Sequence, residues 1–295
     1  MLGFVFAILA GFLVALSDAL NKKYFSHLGT AYMVLARTVG ALPFLFPLFW
    51  YLTLVKGEGL AYFSPQFVLV VVILLSLEVL ATFLYMKGIK LSPLSVSLPF
   101  LSFTPVFIIL TGYFLLGERV SLYGAIGIGL VVMGSYIINL PLAKTGILEP
   151  IKAIKKEKGS FLLLQVALLY SITSVLGKKG LLLTDPWWFS SFYFTLLGIS
   201  AGLVVKVLYR IKVWEFFKTQ TKGVLWVGLT QALMCYSHML ALSQLETAYM
   251  IALKRTSILF SVLLGYCFFK EAYFGTRMIA AGLMLLGVFL IMLLR

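Results

Sequence analysis

Charge is scarce along most of this chain. Charged side chains make up 12% of its 295 residues and only ten are acidic, against roughly a quarter charged in an ordinary soluble domain. A soluble fold is excluded on that ground, because 62% of the residues are hydrophobic and no single globular core absorbs so many. Cysteine occurs twice, at Cys235 and Cys267, each inside an apolar stretch, so a disulfide framework is not indicated and both read as packing residues. Histidine also occurs twice. With no HExxH, no GxSxG and no GxxxxGK[ST], nothing points to a metal site, a hydrolase or ATP hydrolysis within the chain. The expectation is therefore no enzyme, no cofactor and no metal.

What is abundant is apolar length. Ten runs of spanning size recur at about 2–20, 30–52, 66–87, 93–116, 122–140, 160–176, 188–208, 223–241, 246–268 and 276–294, each able to cross roughly 30 Å of hydrocarbon. Ser64-Pro65, Ser92-Pro93 and Asp185-Pro186 each set a capping residue before a proline suited to a first helical turn. Ala15-Leu16-Ser17 loosely resembles a signal-peptidase site, but Met1 to Phe4 carries no basic residue, so the first run is expected to remain as a span.

The formal net charge of +14 does not suggest nucleic acid as partner. The cations sit mostly between apolar runs, where they meet lipid headgroups and set topology. A basic stretch at 146–159, with Lys152, Lys155, Lys156 and Lys158, reads as a linker. Its Ile147, Leu148, Ile151 and Ile154 would equally suit a short helix lying on the headgroups.

The sequence also repeats. A shift of 153 sets Gly112-Tyr113 on Gly265-Tyr266, Glu118 on Glu271, Gly134 on Gly287, Glu78 on Gln231 and Tyr85 on His238; a shift of 156 sets Lys22-Lys23 on Lys178-Lys179. The expected fold class is thus all-α integral membrane, with ten transmembrane helices as two inverted five-helix repeats, at 1–145 and 160–295. Five spans per half force the second copy to enter the membrane in the opposite sense, a design common in secondary transporters.

Pro99, Pro105, Gly112 and the Gly117-Glu118 pair, followed by Gly124, Gly129 and Gly134, resemble the signature of EamA-type drug/metabolite transporters. The second copy keeps Gly265, Glu271, Gly282 and Gly287 but has Ala252 and Ile258 where the prolines would fall, and Lys270 for the glycine. The resemblance implies a secondary transporter of a small metabolite working by alternating access. It also implies a central cavity lined by the first, third, fourth, sixth, eighth and ninth spans. Lys254-Arg255 has a local resemblance to the ninth span of triose-phosphate carriers.

Ionisable residues at membrane depth are expensive and normally line a cavity or pair with each other. The candidates for binding substrate are Lys254, Arg255, Glu78, Gln231, Ser257, Tyr85 and His238. Lys254 and Arg255 fall near the bilayer centre; on a regular helix Lys254 shares a face with Thr247, Ser257 and Ser261 while Arg255 points about 100° away. Tyr85 and His238 are expected nearer the surface. Asp18 and Arg37 are read as interfacial and structural, and Glu118 and Glu271 as headgroup-level salt bridges or gate elements. With Asp18 solvated, Arg37, Lys254 and Arg255 outweigh Glu78 by about two charges, which favours an anion or the carboxylate or phosphate end of a zwitterion. A lipid or lipid-linked cargo and a non-transporting membrane partner are the alternatives. Membrane lipid is a partner in either case, a homodimer is left open, and the expected location is the plasma (inner) membrane.

Of the 24 lysines and arginines, sixteen fall in segments after odd-numbered runs and five on the other side, the rest being Arg37, Lys254 and Arg255. The positive-inside rule then sets the odd segments in the cytoplasm and both ends of the chain outside. A reporter fused after Arg295 is expected to be active only outside; activity in the cytoplasm would overturn either the span count or the orientation.

Overall fold

In the computed structural model of the protein, residues 1–137, 158–269 and 274–294 are described. They form ten apolar helical rods with no strand among the described residues: α1 (Leu2–Phe25), α2 (Thr30–Val55), α3 (Pro65–Leu91), α4 (94–116), α5 (Leu122–Ile137), α6 (Lys158–Leu181), α7 (Pro186–Tyr209), α8 (Thr221–Gln244), α9 (247–269) and α10 (Phe274–Leu294). A short helix, Val213–Thr219, lies between α7 and α8. Seven rods, α1, α2, α3, α6, α7, α8 and α9, are long and apolar enough to cross a membrane. Shorter apolar stretches, Phe100–Leu116, Leu122–Gly134 and Gly282–Ile291, lie in α4, α5 and α10. Most of the basic linker, together with Lys270 and Glu271, lies outside the described residues.

Helix starts follow their caps. Ser64 Oγ accepts from the Phe67 N–H at 3.2 Å, and Asp185 Oδ1 accepts from the N–H groups of Trp187 and Trp188 at 2.8 and 3.0 Å. At Ser92-Pro93 the expectation shifts: Ser92 closes α3, and α4 begins at Leu94 with Pro93 in the capping position. Helix ends run past the apolar runs. α1 continues through Lys22 and Lys23 to Phe25, because the long stems of lysines near a helix end let the ammonium groups reach the interface.

Three rods are not continuous α-helix. α2 carries a 3-10 turn at Val39–Ala41 and a π turn at Tyr51–Val55, around Pro43 and Pro47, which lack N–H donors. α4 is helical over Leu94–Ser97, 3-10 over Leu98–Ser102 and helical again over Phe103–Leu116. α9 breaks between Thr247–Lys254 and Ser257–Phe269. There the freed groups turn to i−3 partners: Thr256 N–H to Leu253 O (3.0 Å), Ile258 N–H to Arg255 O (3.0 Å) and Leu259 N–H to Thr256 O (2.9 Å). A break at membrane depth is tolerated only where protein or a cavity, not lipid, surrounds it.

The repeat found in the sequence recurs in the element boundaries. α1 and α6 are each 24 residues long and lie 156 apart at both ends. The ends of α3 and α8 lie 153 apart, as do the starts of α4 and α9, so the 3-10 segment of α4 aligns with the break in α9. Packing follows the same exchange. α1 packs on α8 as α6 packs on α3, and α4 packs on α6 as α9 packs on α1, while α2 pairs with α7 and α5 with α10.

Small residues set the closest approaches. Gly198 and Gly202 of α7 face α2, and Gly3 of α1 faces the end of α8. The tightest is between α8 and α2, where a Cβ on Gly228 would lie 1.9 Å from Gly40 O. Cys235 is buried, whereas Cys267 is exposed on the outer face rather than packed.

Gly228→Ala is expected to force α8 off α2 and lower stability by about 1–3 kcal/mol, read as a fall in melting temperature in detergent. Gly129→Ala, where an added Cβ meets nothing within 4 Å, should not lower it.

Candidate functional site

Of three buried apolar clusters, two lie toward opposite ends of the bundle. One gathers the end containing Phe4, Phe67, Trp188, Leu242 and Met250; the other gathers the opposite end with Phe25, Ile89, Leu94, Leu163 and Phe216. Between them lies a cavity of about 100 Å³, room for a few waters or a small polar group. Its walls come from α1 to α4 and α6 to α9. α2 and α7 join the expected set, bringing Arg37, Thr38, Tyr193, Phe194 and Leu197.

The most connected group in it is Asp18, only 1% exposed. Arg37 Nη1 donates to its Oδ1 and the Tyr85 hydroxyl to its Oδ2, so both carboxylate oxygens are satisfied by neighbouring helices. The Arg37 guanidinium also lies over the Tyr85 ring, 5.0 Å from its centroid. This corrects the interfacial placing of Asp18 and Arg37. Because α1 runs on to Phe25, Asp18 sits seven residues, about 10 Å, inside the helix end. Tyr85 is likewise in the cavity wall, not near the surface. With Asp18 counted, the formal excess of cations at this depth falls from two to one.

Glu78 of α3 lines the cavity beside Thr173 of α6. Gln231 of α8 lines it too; its Oε1 faces the Ser17 hydroxyl at 3.4 Å and its Nε2 faces Cys235 Sγ at 3.6 Å. His238, also expected nearer the surface, is in the wall with Nδ1 3.0 Å from Lys254 Nζ. If the ammonium donates, that nitrogen must be the unprotonated one.

Lys254 and Arg255 sit at the α9 break, and the break changes what they can reach. A regular helix would separate them by 100°; the turn at Arg255-Thr256 lets both line one cavity, with Ser257 beside them. Arg255 is 6% exposed, and its Nη2 donates to Thr104 Oγ1 at 3.0 Å across to α4. Its Nε has no partner among the described residues. Neither cation has a carboxylate within 4 Å among them. Gly11 makes room for the turn, since a Cβ there would come within 2.9 Å of Lys254 O.

The repeat register extends beyond the residues singled out from sequence. Ser174 and Tyr193 occupy the positions matching Asp18 and Arg37, and all four line the cavity. Outside the cavity, Lys22 Nζ donates to Ser92 O at 2.6 Å, and its counterpart Lys178 donates to Leu245 O at 2.9 Å and to Leu242 O. Glu118 is a cap for α9: its carboxylate accepts from Thr247 N–H (3.0 Å) and from the Thr247 hydroxyl (3.0 Å). Burial pushes this loop carboxyl above its ordinary value, although both Thr247 bonds act the other way. No group of three or more His, Cys, Asp or Glu side chains suited to a metal occurs among the described residues.

Breaking a buried ion pair leaves one charge stranded, and losing a single partner is strongly destabilising. Asp18→Asn and Arg37→Gln are each expected to lower the melting temperature of purified protein, with the double variant losing less than the sum. Additive losses would mean that the pair contributes no coupling.

Seven helices fit to cross a bilayer and a cavity walled by polar side chains at helical depth define an integral, multi-pass membrane protein. Residues 1–140 match the model of the EamA-like transporter family, which supports the drug/metabolite transporter resemblance. No curated protein matches the chain. Eighteen chains of solved structures do. One, described only as "Crystal structure of protein", has a TM-score of 0.70 at 18% identity over 99% of this chain and 96% of its own, a likeness of fold.

Proposed function

We propose that the protein is a secondary transporter that moves a small polar metabolite bearing a carboxylate or phosphate, anionic or zwitterionic, by alternating access. All ten rods would cross the membrane, as five-helix repeats at 1–145 and 160–295 of opposite orientation joined by the basic linker 146–159. The matched element boundaries and exchanged helix pairs support the repeat; an odd number of spans in each half supports the inversion.

One observation carries the choice of substrate charge. Lys254 and Arg255 are adjacent in one cavity and have no carboxylate partner among the described residues, while Asp18 is already engaged by Arg37 and Tyr85. Cations at membrane depth need compensation, and a ligand oxyanion would supply it. Arg255, with its free Nε, would bind a planar oxyanion through two N–H groups and Lys254 would act as a point charge. Gln231, Ser257, Tyr85 and His238 would position the rest of the ligand, and Glu78 would hold an ammonium if the substrate carries one. The breaks in α4 and α9 would serve as the joints. A lipid cargo is less well supported: the large lateral groove of the molecule shares no lining residue with the cavity.

Counterflow in proteoliposomes against carboxylates, phosphates and organic cations is the test. Uptake is expected for oxyanion-bearing solutes. Lys254→Gln and Arg255→Gln should each cut it by roughly tenfold or more, since a hydrogen bond to a charged group is worth about 1.5–3 kcal/mol, with melting temperature retained. Normal transport in both variants, or counterflow of cations alone, would refute the anion site.

A further inference from the structure

A wide depression opens on the outer face of the bundle. A groove of about 1160 Å³ lies between α2, α7 and the short helix Val213–Thr219. Val39, Leu42, Phe46 and Ile199 wall one part of it, and Lys206, Arg210 and Lys212 gather at the other. Phe46 and Ile199 are more than 40% exposed, so the apolar wall is open to whatever surrounds the helices.

Three features define its occupant. The first is length: from Ile199 to Arg210 is about 16 Å at 1.5 Å per residue, which matches one leaflet's share of a roughly 30 Å hydrocarbon core. The second is charge. Lys212 already pairs with Glu215 at 3.0 Å, whereas Lys206 and Arg210 have no carboxylate within 4 Å among the described residues. Arg210 is held at φ +52° just after α7, the single non-glycine residue with positive φ among the described residues, a conformation disfavoured for L residues. The third is setting. Tyr209 and Trp214, 51% and 72% exposed, flank the basic end as aromatic residues do at a membrane interface. That end also belongs to the cation-rich side of the bundle, which the positive-inside rule sets at the anionic cytoplasmic leaflet.

We infer that this groove is a binding site for one anionic glycerophospholipid, its acyl chains along Val39, Leu42, Phe46 and Ile199 and its phosphate at Lys206 and Arg210. The lipid is a resident of the outer surface, not cargo. Its headgroup braces the α7 end and the short helix against α2, the rod that contributes Arg37 to the cavity.

Native mass spectrometry of the full chain, offered dioleoyl phosphatidylglycerol and dioleoyl phosphatidylcholine at equal concentration, tests this. Phosphatidylglycerol adducts should dominate. Removing both charges in K206Q/R210Q should weaken them on the order of tenfold or more, from about 1 kcal/mol per basic residue at an anionic surface. K87Q/K90Q, which removes two exposed cations at the same membrane side outside the groove, should leave the preference intact. Ile199→Trp should reduce adducts of both lipids by filling the acyl path without changing charge. Equal binding of the two lipids, an equal loss in K87Q/K90Q, or no effect of Ile199→Trp would overturn the site. Loss of the adduct in Lys254→Gln would place the lipid in the central cavity and overturn it as well.

Discussion

Five ionisable side chains, Asp18, Arg37, Glu78, Lys254 and Arg255, must be kept out of hydrocarbon, and much of the architecture follows from that constraint. A charge at bilayer depth is tolerable when it is paired or faces a polar cavity. Eight helices therefore surround one small chamber, with an apolar cluster on either side of it along the bundle. No described residue of α5 or α10 lines the chamber, and the two helices pack on each other. The same constraint governs the backbone. The peptide groups at the α9 break are acceptable because they face protein, packing against α1 where Gly11 admits them.

How far the sequence reaches depends on what each feature is made of. Spanning helices are written in apolar length, so all ten rods begin within two residues of the starts read from the sequence. Helix ends are written less clearly, since lysine stems let α1, α3 and α6 run on past their apolar stretches, and that is why Asp18 and Tyr85 looked shallower than they are. The break in α9 has no local mark. Ala252 and Ile258 stand where α4 has Pro99 and Pro105, so the sequence reads there as a periodic helix, and it is the break that lets Arg255 line the same cavity as Lys254. The mark lies in the other half: Leu101-Ser102, the residues matched to Lys254-Arg255, fall in the 3-10 segment of α4.

The two halves share a frame but not a chemistry. Asp18, Arg37 and Glu78 belong to the first, with Ser174, Tyr193 and Gln231 as neutral counterparts; Lys254 and Arg255 belong to the second, opposite Leu101 and Ser102. The matched register aligns the 3-10 segment of α4 with the break in α9. In the proposed transport reading, anionic excess in one half and cationic excess in the other would give a solute with separated charges a defined orientation between them.

The distribution of hydrogen bonds bears on how such halves could move past each other. The ionic contacts of the chamber are internal to a half: Asp18 with Arg37 and Tyr85 in the first, Lys254 with His238 in the second. Across the halves, the chamber has Arg255 to Thr104, Glu78 to Thr173 and a long Ser17 to Gln231 contact. None of these sets two opposite charges against each other, so relative motion would exchange hydrogen bonds with water or ligand without stranding a buried ion pair. A further contact between halves is at one end, where Glu118 caps Thr247 through backbone and hydroxyl together. A carboxylate on a helix N-terminus is stabilised by both the hydrogen bonds and the helix dipole, yet this carboxyl is partly desolvated and binds a proton more readily than a free glutamate. In the alternating-access reading, opening toward that end requires breaking this cap, whereas opening toward the other leaves it in place. The cap then sets which opening carries the greater cost.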